Sequence, residues 1–299
     1  MATGQFNPFK KRPVQPRSEI WLRDIAMFVM LAFYIVFFIV PIGIAFIGSF
    51  HDWNPMNGKY IGVGISNYSA LLTNDVFWLS VKNTLIFCIV VVFFRAMLGF
   101  LCAYAVYSKA VRGKNFFLTM YYMPVIAPLV AVSFVWKFMY EPKVGLINTL
   151  FGLSINWLKN KNTALLAVMI MTIWKDFGYA VVLYLAGLMG VSEEILEAAK
   201  VDGCNGWQLL KSIVLPLLRP TTLLIIVASI ISYLQAYVQV LVLTEGGPGT
   251  ATYLTTYLIY NEAFVKYSFG SASAMSFVLF IFTAFATWIS FKLQSGKGV

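Results

Sequence analysis

Two apolar stretches of this sequence carry polar residues at spacings that place them on one face of a helix. Thr172, Asp176 and Tyr179 stand at positions i, i+4 and i+7. Polar groups inside a membrane are costly, and they usually face the interior of a helix bundle. Tyr rings fit the C–H faces of sugars, while carboxylates and hydroxyls fit their hydroxyl groups. The pattern predicts a pathway for a polar solute, with hydrogen bonding between packed helices as the alternative for each residue. The second such face holds Ser229, Tyr233 and Tyr237.

Catalysis and metal binding are not expected of this chain. His51 is the only histidine and no CxxC pair exists, so a Ser-His-Asp triad or a common zinc site lacks its residues. The sequence also contains no G-x-x-x-x-G-K-[ST] phosphate-binding loop. Cys88, Cys102 and Cys204 are expected to be free thiols. We therefore predict a protein that is not an enzyme and binds no cofactor itself.

The composition shows which elements must position the polar residues. The chain is 60% hydrophobic and 11% charged, with a mean hydropathy of +0.79, whereas about a quarter of the residues of a soluble domain are charged. A helix needs about 20 apolar residues to cross a bilayer. We predict an all-α polytopic membrane protein with six transmembrane helices. The six stretches are about Ile25–Phe50, Leu85–Tyr107, Phe116–Met139, Ala164–Gly190, Thr222–Leu243 and Ala272–Leu293.

Lysine and arginine residues fall in the short segments outside these stretches, so the net charge of +10 indicates topology rather than nucleic-acid binding. The two ends of the chain, the second-to-third loop and the fourth-to-fifth loop hold 13 of them, and the other three loops hold six. By the positive-inside rule, both termini are predicted to be cytoplasmic in a bacterial plasma (inner) membrane. We expect residues 1–19 to form a basic cytoplasmic arm and residues 20–299 to form one lipid-embedded domain.

The predicted cytoplasmic segment 191–220 is amphipathic and interrupts the apolar pattern. Ser192 can cap a helix whose first turn carries Glu193 and Glu194, where negative charge is favourable. Gly203 is expected to end this helix, and a second short helix is expected from about Trp207. Two short helices at a sharp angle could fill a groove on another protein or lie on the lipid headgroups, because both roles require amphipathicity.

The same segment resembles the EAA coupling motif of ABC importer permeases, whose pattern is EAA, three residues, Gly, nine residues, then I-x-L-P. The matching positions are Glu197, Ala198, Ala199, Gly203, Ile213, Leu215 and Pro216. In that family the loop docks into a cleft of an ATP-binding subunit, so the resemblance implies the same role for residues 193–216. It also implies that ATP and Mg are bound by partner subunits rather than by this chain.

A second resemblance narrows the family. The segment from Leu243 to Phe264, LTEGGPGTATYLTTYLIYNEAF, is similar to a segment of carbohydrate-type permeases such as the large subunit of the maltose importer. From the residues alone, Gly246 to Gly249 predict a tight turn at the outer end of the fifth span. At the positions of Val125 and Leu129, that relative has polar contacts, whereas these two side chains are apolar. The resemblance places five residues at its sugar-contacting positions: Thr172, Asp176, Tyr179, Ser229 and Tyr233.

Three charged residues within the spans need a separate interpretation. Lys175 and Asp176 are about 100° apart on a helix and are not expected to face one pore axis together, so one should pair with a neighbouring subunit or extend to the headgroups. Arg95 lies in the middle of the second span and is interpreted as a structural charge that faces protein or the inner headgroups.

The resemblances together imply a permease subunit with the type I ABC importer fold. Its expected partners are a second homologous permease subunit, two ATP-binding subunits and an extracytoplasmic sugar-binding protein, and its expected solutes are oligosaccharides or glycosides. The alternatives are a relative that imports glycerol phosphate, an osmolyte or a peptide, and a secondary carrier. A carrier would need internal repeats or its own ion site.

Overall fold

The computed structural model describes residues 17–108, 111 and 113–295, and the chain divides into two units, Met1–Gly48 and Ser49–Val299. Most of the predicted basic arm, residues 1–16, lies outside the described residues, as do Lys109, Arg112 and Lys297 of the predicted cytoplasmic set.

The described part of the first unit is one continuous helix. It consists of α1 (Arg17–Tyr34), a π-helical turn (Ile35–Ile39) and α2 (Val40–Gly48). Residues Trp21–Gly48 form an apolar span of 28 residues with a mean hydropathy of 2.8. The observed helix therefore ends at Gly48, two residues before the end of the predicted first span, about Ile25–Phe50. It begins at Arg17, before the predicted apolar stretch.

The second unit opens with a β-hairpin that the sequence analysis did not predict. Strands β1 (His51–Asn54) and β2 (Lys59–Gly62) pair antiparallel, with Trp53 opposite Tyr60. Gly58 adopts a φ of +69° in the connecting turn, a conformation that glycine adopts without strain. The hairpin is small, and helices form almost all of the remaining structure. The prediction of a helical membrane protein is confirmed.

The remaining helices follow in chain order and are separated by short connections. They are α3 (Ser66–Leu72), α4 (Asp75–Tyr107), α5 (Lys114–Ile126), α6 (Leu129–Met139), α7 (Leu146–Phe151), α8 (Ala164–Met189), α9 (Glu193–Val201), α10 (Gly206–Leu209), a second π-helical turn (Leu210–Val214), α11 (Leu215–Leu217), α12 (Arg219–Leu234), α13 (Val238–Leu243), α14 (Thr255–Tyr260), a third π-helical turn (Asn261–Val265) and α15 (Phe269–Ser295). Within the described ranges, 4 helices are long and apolar enough to cross a membrane, and two bent pairs raise the number of candidate spans to 6.

Two predicted spans are broken. Helices α5 and α6 form the third span and bend by 100° at Ala127–Pro128, because proline cannot continue the hydrogen-bond ladder of a helix. The predicted fifth span, Thr222–Leu243, is not one helix, since α12 ends at Leu234 and α13 begins at Val238. No proline or glycine marks this second break, so hydropathy alone could not reveal it.

Small residues bring α8 into close contact with α4 and α5. A methyl group on Gly99 of α4 would lie 2.5 Å from the Cβ of Ala180. A methyl group on Gly178 would lie 1.8 Å from the carbonyl oxygen of Tyr121. Close approach through small residues is the usual way in which membrane helices associate. Helix α8 is thus held centrally against α4 and α5, and it carries three of the predicted pathway residues.

Candidate transport site and coupling loop

A polar cluster, the α4–α8–α12 cluster, connects three helices in the apolar interior. The Tyr233 hydroxyl of α12 donates to Oδ2 of Asp176 of α8 at 3.0 Å, and Nη1 of Arg95 of α4 donates to Oγ of Ser229 at 2.8 Å. Tyr233 and Ser229 are one helical turn apart, so both side chains reach the same side of α12. The cluster therefore joins groups that are distant in sequence into one hydrogen-bonded site.

Arg95 lies at the centre of the cluster. Its guanidinium carbon is 5.3 Å from the ring centre of Tyr179 and 5.6 Å from that of Tyr233, so the cation contacts two aromatic rings. Only 8% of the residue is exposed. It faces protein, which is one of the two placements predicted for it. The sequence predicts a structural charge at this position, whereas the structure places Arg95 beside three of the predicted pathway residues, Tyr179, Ser229 and Tyr233.

Lys175 and Asp176 contact each other within this chain, which the sequence did not predict. Nζ of Lys175 is 3.6 Å from Oδ1 of Asp176 and donates to the carbonyl oxygen of Val125 at 3.3 Å. The flexible lysine stem lets Nζ bend back, although the two Cα–Cβ bonds diverge by about 100°. Val125 stands in the last turn of α5, where carbonyl groups lack helical partners because the helix ends before Pro128.

Four of the six predicted pathway residues meet in or beside this cluster, and two do not. Asp176, Ser229 and Tyr233 are hydrogen-bonded there, and Tyr179 is 40% exposed beside Arg95. The other two, Thr172 and Tyr237, make different contacts.

Thr172 and Tyr237 have other surroundings. Thr172 is fully buried, and its hydroxyl donates to the Val168 carbonyl at 2.8 Å within the same helix. Tyr237 follows the end of α12, so the i+4 relation to Tyr233 does not hold and the expected shared face is wrong. Its ring stacks on that of Tyr260 at 5.8 Å. The structure thus does not bring these two residues to the cluster.

The coupling loop, residues 191–220, contains the two predicted short helices. Helix α9 is followed by Gly203, whose φ of +81° ends it as predicted. Asn205 and Gln208 form a capping box at the start of α10, with backbone-to-side-chain hydrogen bonds of 2.9 Å in both directions. The N-x-x-Q spacing is a signal for a helix start that the sequence analysis missed. The helical segment Gly206–Leu217 meets α12 at an angle of 61°.

One side of the coupling loop packs against the helix bundle. Ala199 is 6% exposed, and Leu196, Leu209 and Leu210 pack against a buried cluster that includes Leu188 of α8 and Ile225 of α12. This apolar side holds the loop to the ends of α8 and α12. The loop is therefore packed against two of the three helices that carry the α4–α8–α12 cluster.

The other side of the coupling loop is open. Glu193 and Glu197 are exposed, and both border a groove of about 660 Å³ that also includes Lys114. Trp207 is 69% exposed, and several further apolar side chains of the loop are exposed around it. An exposed surface that combines charge with large apolar groups is typical of a protein interface or a membrane contact. The exposed apolar side chains include Ile195, Val201, Leu215 and Leu217.

The segment after α13 forms the predicted tight turn. The Gly247 N–H donates to the Thr244 carbonyl at 2.8 Å, and Gly246 has a φ of +82°. A methyl group on Gly246 would lie 2.3 Å from the ring of Tyr253, so this position needs glycine for space as well as for conformation. Nδ2 of Asn83 donates to two carbonyl groups of the segment at 3.1 Å each, which ties the turn to α4.

No group of three or more His, Cys, Asp or Glu side chains in the described ranges could hold a metal ion. The three cysteines are free thiols, as predicted.

The polar cluster and the loop together form a membrane-embedded polar site connected to an exposed amphipathic loop, and this is the architecture of a membrane transport subunit.

Comparison with known proteins gives the family. Residues 95–295 match the family described as the binding-protein-dependent transport system inner membrane component. The sn-glycerol-3-phosphate transport system permease protein UgpA of Agrobacterium fabrum is 34% identical over 77% of this chain and 80% of its own. The multiple sugar-binding transport system permease protein MsmF of Streptococcus mutans is 30% identical over 90% of this chain and 93% of its own.

A solved structure shows the same fold. The bacterial alginate ABC transporter in complex with an alginate pentasaccharide-bound periplasmic protein contains a chain that superposes with a TM-score of 0.76 at 19% sequence identity. The match covers 91% of this chain and 93% of that one. The protein belongs to the family of binding-protein-dependent ABC importer permeases. It is a multi-pass inner-membrane transport subunit, not a catalytic one, of a family without bound cofactors.

Proposed function

We propose that this chain is one of two homologous permease subunits of an ATP-driven importer of sugars, in particular oligosaccharides or glycosides. In this proposal the chain forms half of the translocation pathway. Two ATP-binding subunits hydrolyse ATP with Mg, and an extracytoplasmic sugar-binding protein delivers the solute. Both termini and the coupling loop are cytoplasmic.

The α4–α8–α12 cluster is the observation that carries the proposed solute class. It presents a carboxylate, a hydroxyl and the ring of Tyr179 within one polar site of an otherwise apolar bundle. Carboxylate and hydroxyl oxygens can bind sugar hydroxyls, and the exposed ring can cover a C–H face. The S. mutans relative, a multiple sugar-binding transport system permease protein, supports this solute class.

The open side of the coupling loop supports the proposed docking to an ATP-binding subunit. The predicted docking residues Glu193, Glu197 and Ala198 are exposed there, whereas Ala199 is buried against the bundle. Gly203 shapes the turn, and Ile213, Leu215 and Pro216 follow in the segment that leads to α12. Because the loop is continuous with α8 and α12, closure of two ATP-binding subunits would rotate the helices that carry the site.

Reconstitution in proteoliposomes tests the proposal. We expect ATP-dependent uptake of a sugar or glycoside only when both permeases, the ATP-binding subunits and the binding protein are present. Uptake by this chain alone would instead favour a secondary carrier. A panel of sugars should include amino acids and dipeptides as controls, and uptake restricted to those controls would contradict the proposed solute class.

A second candidate solute is a phosphorylated polyol. The A. fabrum relative named for sn-glycerol 3-phosphate transport favours it, as does the buried cation Arg95. The same reconstitution distinguishes it when sn-glycerol 3-phosphate is included in the panel.

A further inference from the structure

The charges of the α4–α8–α12 cluster do not balance. The cluster contains two cations, Arg95 and Lys175, and one carboxylate, Asp176. Helices α8 and α12 contain no other acidic residue, and the acidic residue of α4, Asp75, stands at the first position of that helix. Asp75 is thus about 30 Å along the helix axis from Arg95. The cluster therefore carries one positive charge that this part of the chain does not neutralise.

Among the described residues, Arg95 is the cation of the cluster that forms no ion pair with a carboxylate. The Nζ of Lys175 lies between the carboxylate of Asp176 and the carbonyl oxygen of Val125. The guanidinium of Arg95 has five N–H donors; Nη1 donates to Ser229, and the guanidinium also interacts with the hydroxyl of Tyr233. Nε of Arg95 is buried and has no hydrogen-bond partner there.

The unpartnered Nε lies on one edge of the guanidinium. Nε and Nη2 form the edge with which arginine can hold a carboxylate or phosphate through two parallel hydrogen bonds. Leaving a buried charged donor unpaired costs free energy, and an arriving oxyanion would recover it. The surroundings suit a sugar or polyol that bears such an oxyanion, since Ser229 supplies a hydroxyl and the 40% exposed Tyr179 supplies a ring face beside the cation.

We propose that Arg95 is the binding residue for an anionic group, a carboxylate or a phosphate, on the solute that this permease carries. The inference rests on the proposed importer function, and it narrows the solute either to an acidic sugar or to the phosphorylated polyol that is the second candidate. The same oxyanion chemistry could come from a carboxylate of the second permease subunit. If the second subunit supplies the carboxylate, replacing Arg95 should prevent assembly of the complex. If the solute supplies the oxyanion, replacing Arg95 should abolish the preference for anionic solutes.

The experiment uses the complete importer in proteoliposomes and solute pairs that differ in charge. The pairs are trigalacturonate with its carboxyl-reduced trisaccharide, and sn-glycerol 3-phosphate with glycerol. We expect the parental importer to take up the anionic member of one pair and to reject its neutral twin. Arg95→Gln should reduce that uptake at least about 10-fold, because a hydrogen bond to a charged group is lost, and Arg95→Lys should retain part of it. Complex yield and melting temperature should stay near parental values.

Lys82→Gln provides the matched control, because it removes an exposed cation from the same helix and should leave uptake unchanged. The inference is overturned if the parental importer takes up the neutral members as well as the anionic ones, or if Arg95→Gln leaves anionic uptake intact. Loss of complex yield in Arg95→Gln would assign the oxyanion to the second permease subunit and also overturn it. Uptake of no member of either pair, with other sugars transported, refutes the anionic class but leaves the proposed function standing.

Discussion

The hydrogen bond between Tyr233 and Asp176 offers a direct test of whether the cluster meets solute. Tyr233 is 3% exposed, and its hydroxyl donates to the carboxylate at 3.0 Å. Tyr233→Phe removes this one bond and keeps the ring that contacts Arg95. A hydrogen bond to a charged group contributes about 1.5–3 kcal/mol. We expect the lower end, about 1.5 kcal/mol, because Asp176 keeps its contact with Lys175.

This free energy corresponds to a factor of about 10 in a binding constant. If the bond orients Asp176 toward solute, the solute concentration for half-maximal uptake should rise about tenfold. The maximal rate and the ATPase response to loaded binding protein should stay near parental values. The assay is uptake against solute concentration in proteoliposomes, together with the melting temperature of the complex.

Tyr140→Phe is the matched control. Tyr140 is 2% exposed, and its hydroxyl donates to a backbone carbonyl, that of Ala167, at 2.8 Å. This variant should lower the melting temperature without changing the solute dependence. If Tyr233→Phe and Tyr140→Phe behave alike, with lower stability and unchanged solute dependence, the hydroxyl of Tyr233 has a packing role and the assignment to the pathway is wrong.

Three further predictions concern coupling, topology and packing. Glu197→Lys should abolish uptake and co-purification of the ATP-binding subunit while the permease stays in the membrane, and parental uptake with co-purification would contradict the docking role. An impermeant thiol reagent should label Met56→Cys, at an exposed hairpin position, in intact cells but should label Cys204 only after lysis, and rapid labelling of Cys204 in intact cells would reverse the orientation. Gly178→Ala should destabilise the subunit by about 1–3 kcal/mol or more, because its methyl group would lie 1.8 Å from the Tyr121 carbonyl oxygen. Gly206→Ala, at a site with no atom within 4 Å, serves as its control, and equal melting temperatures would refute the packing argument.

The sequence by itself determined the class of structure, because crossing a bilayer requires long apolar runs. Helix α8 spans Ala164–Met189, one residue short of the predicted stretch. Gly203 ended its helix as predicted, since a left-handed backbone conformation favours glycine. The spacing from Glu197 to Pro216 was enough to indicate the family, which the comparison then confirmed. These features depend on residues that are close together in the sequence, so the sequence is enough to predict them.

The tertiary structure alone decided which polar residues meet. Hydropathy predicts one continuous helix over Thr222–Leu243, and such a helix would place Tyr237 on the same face as Tyr233. The helix instead breaks at Gln235, so the two residues do not share a face. It also left Arg95 as a structural charge, because the partner that places this residue in the site, Ser229, is 134 positions away in the chain. The hydrogen bond between Tyr233 and Asp176 likewise joins two helices, because these residues are 57 positions apart in the chain. Contacts between distant segments follow from packing in three dimensions, and periodicity within one segment contains no information about them.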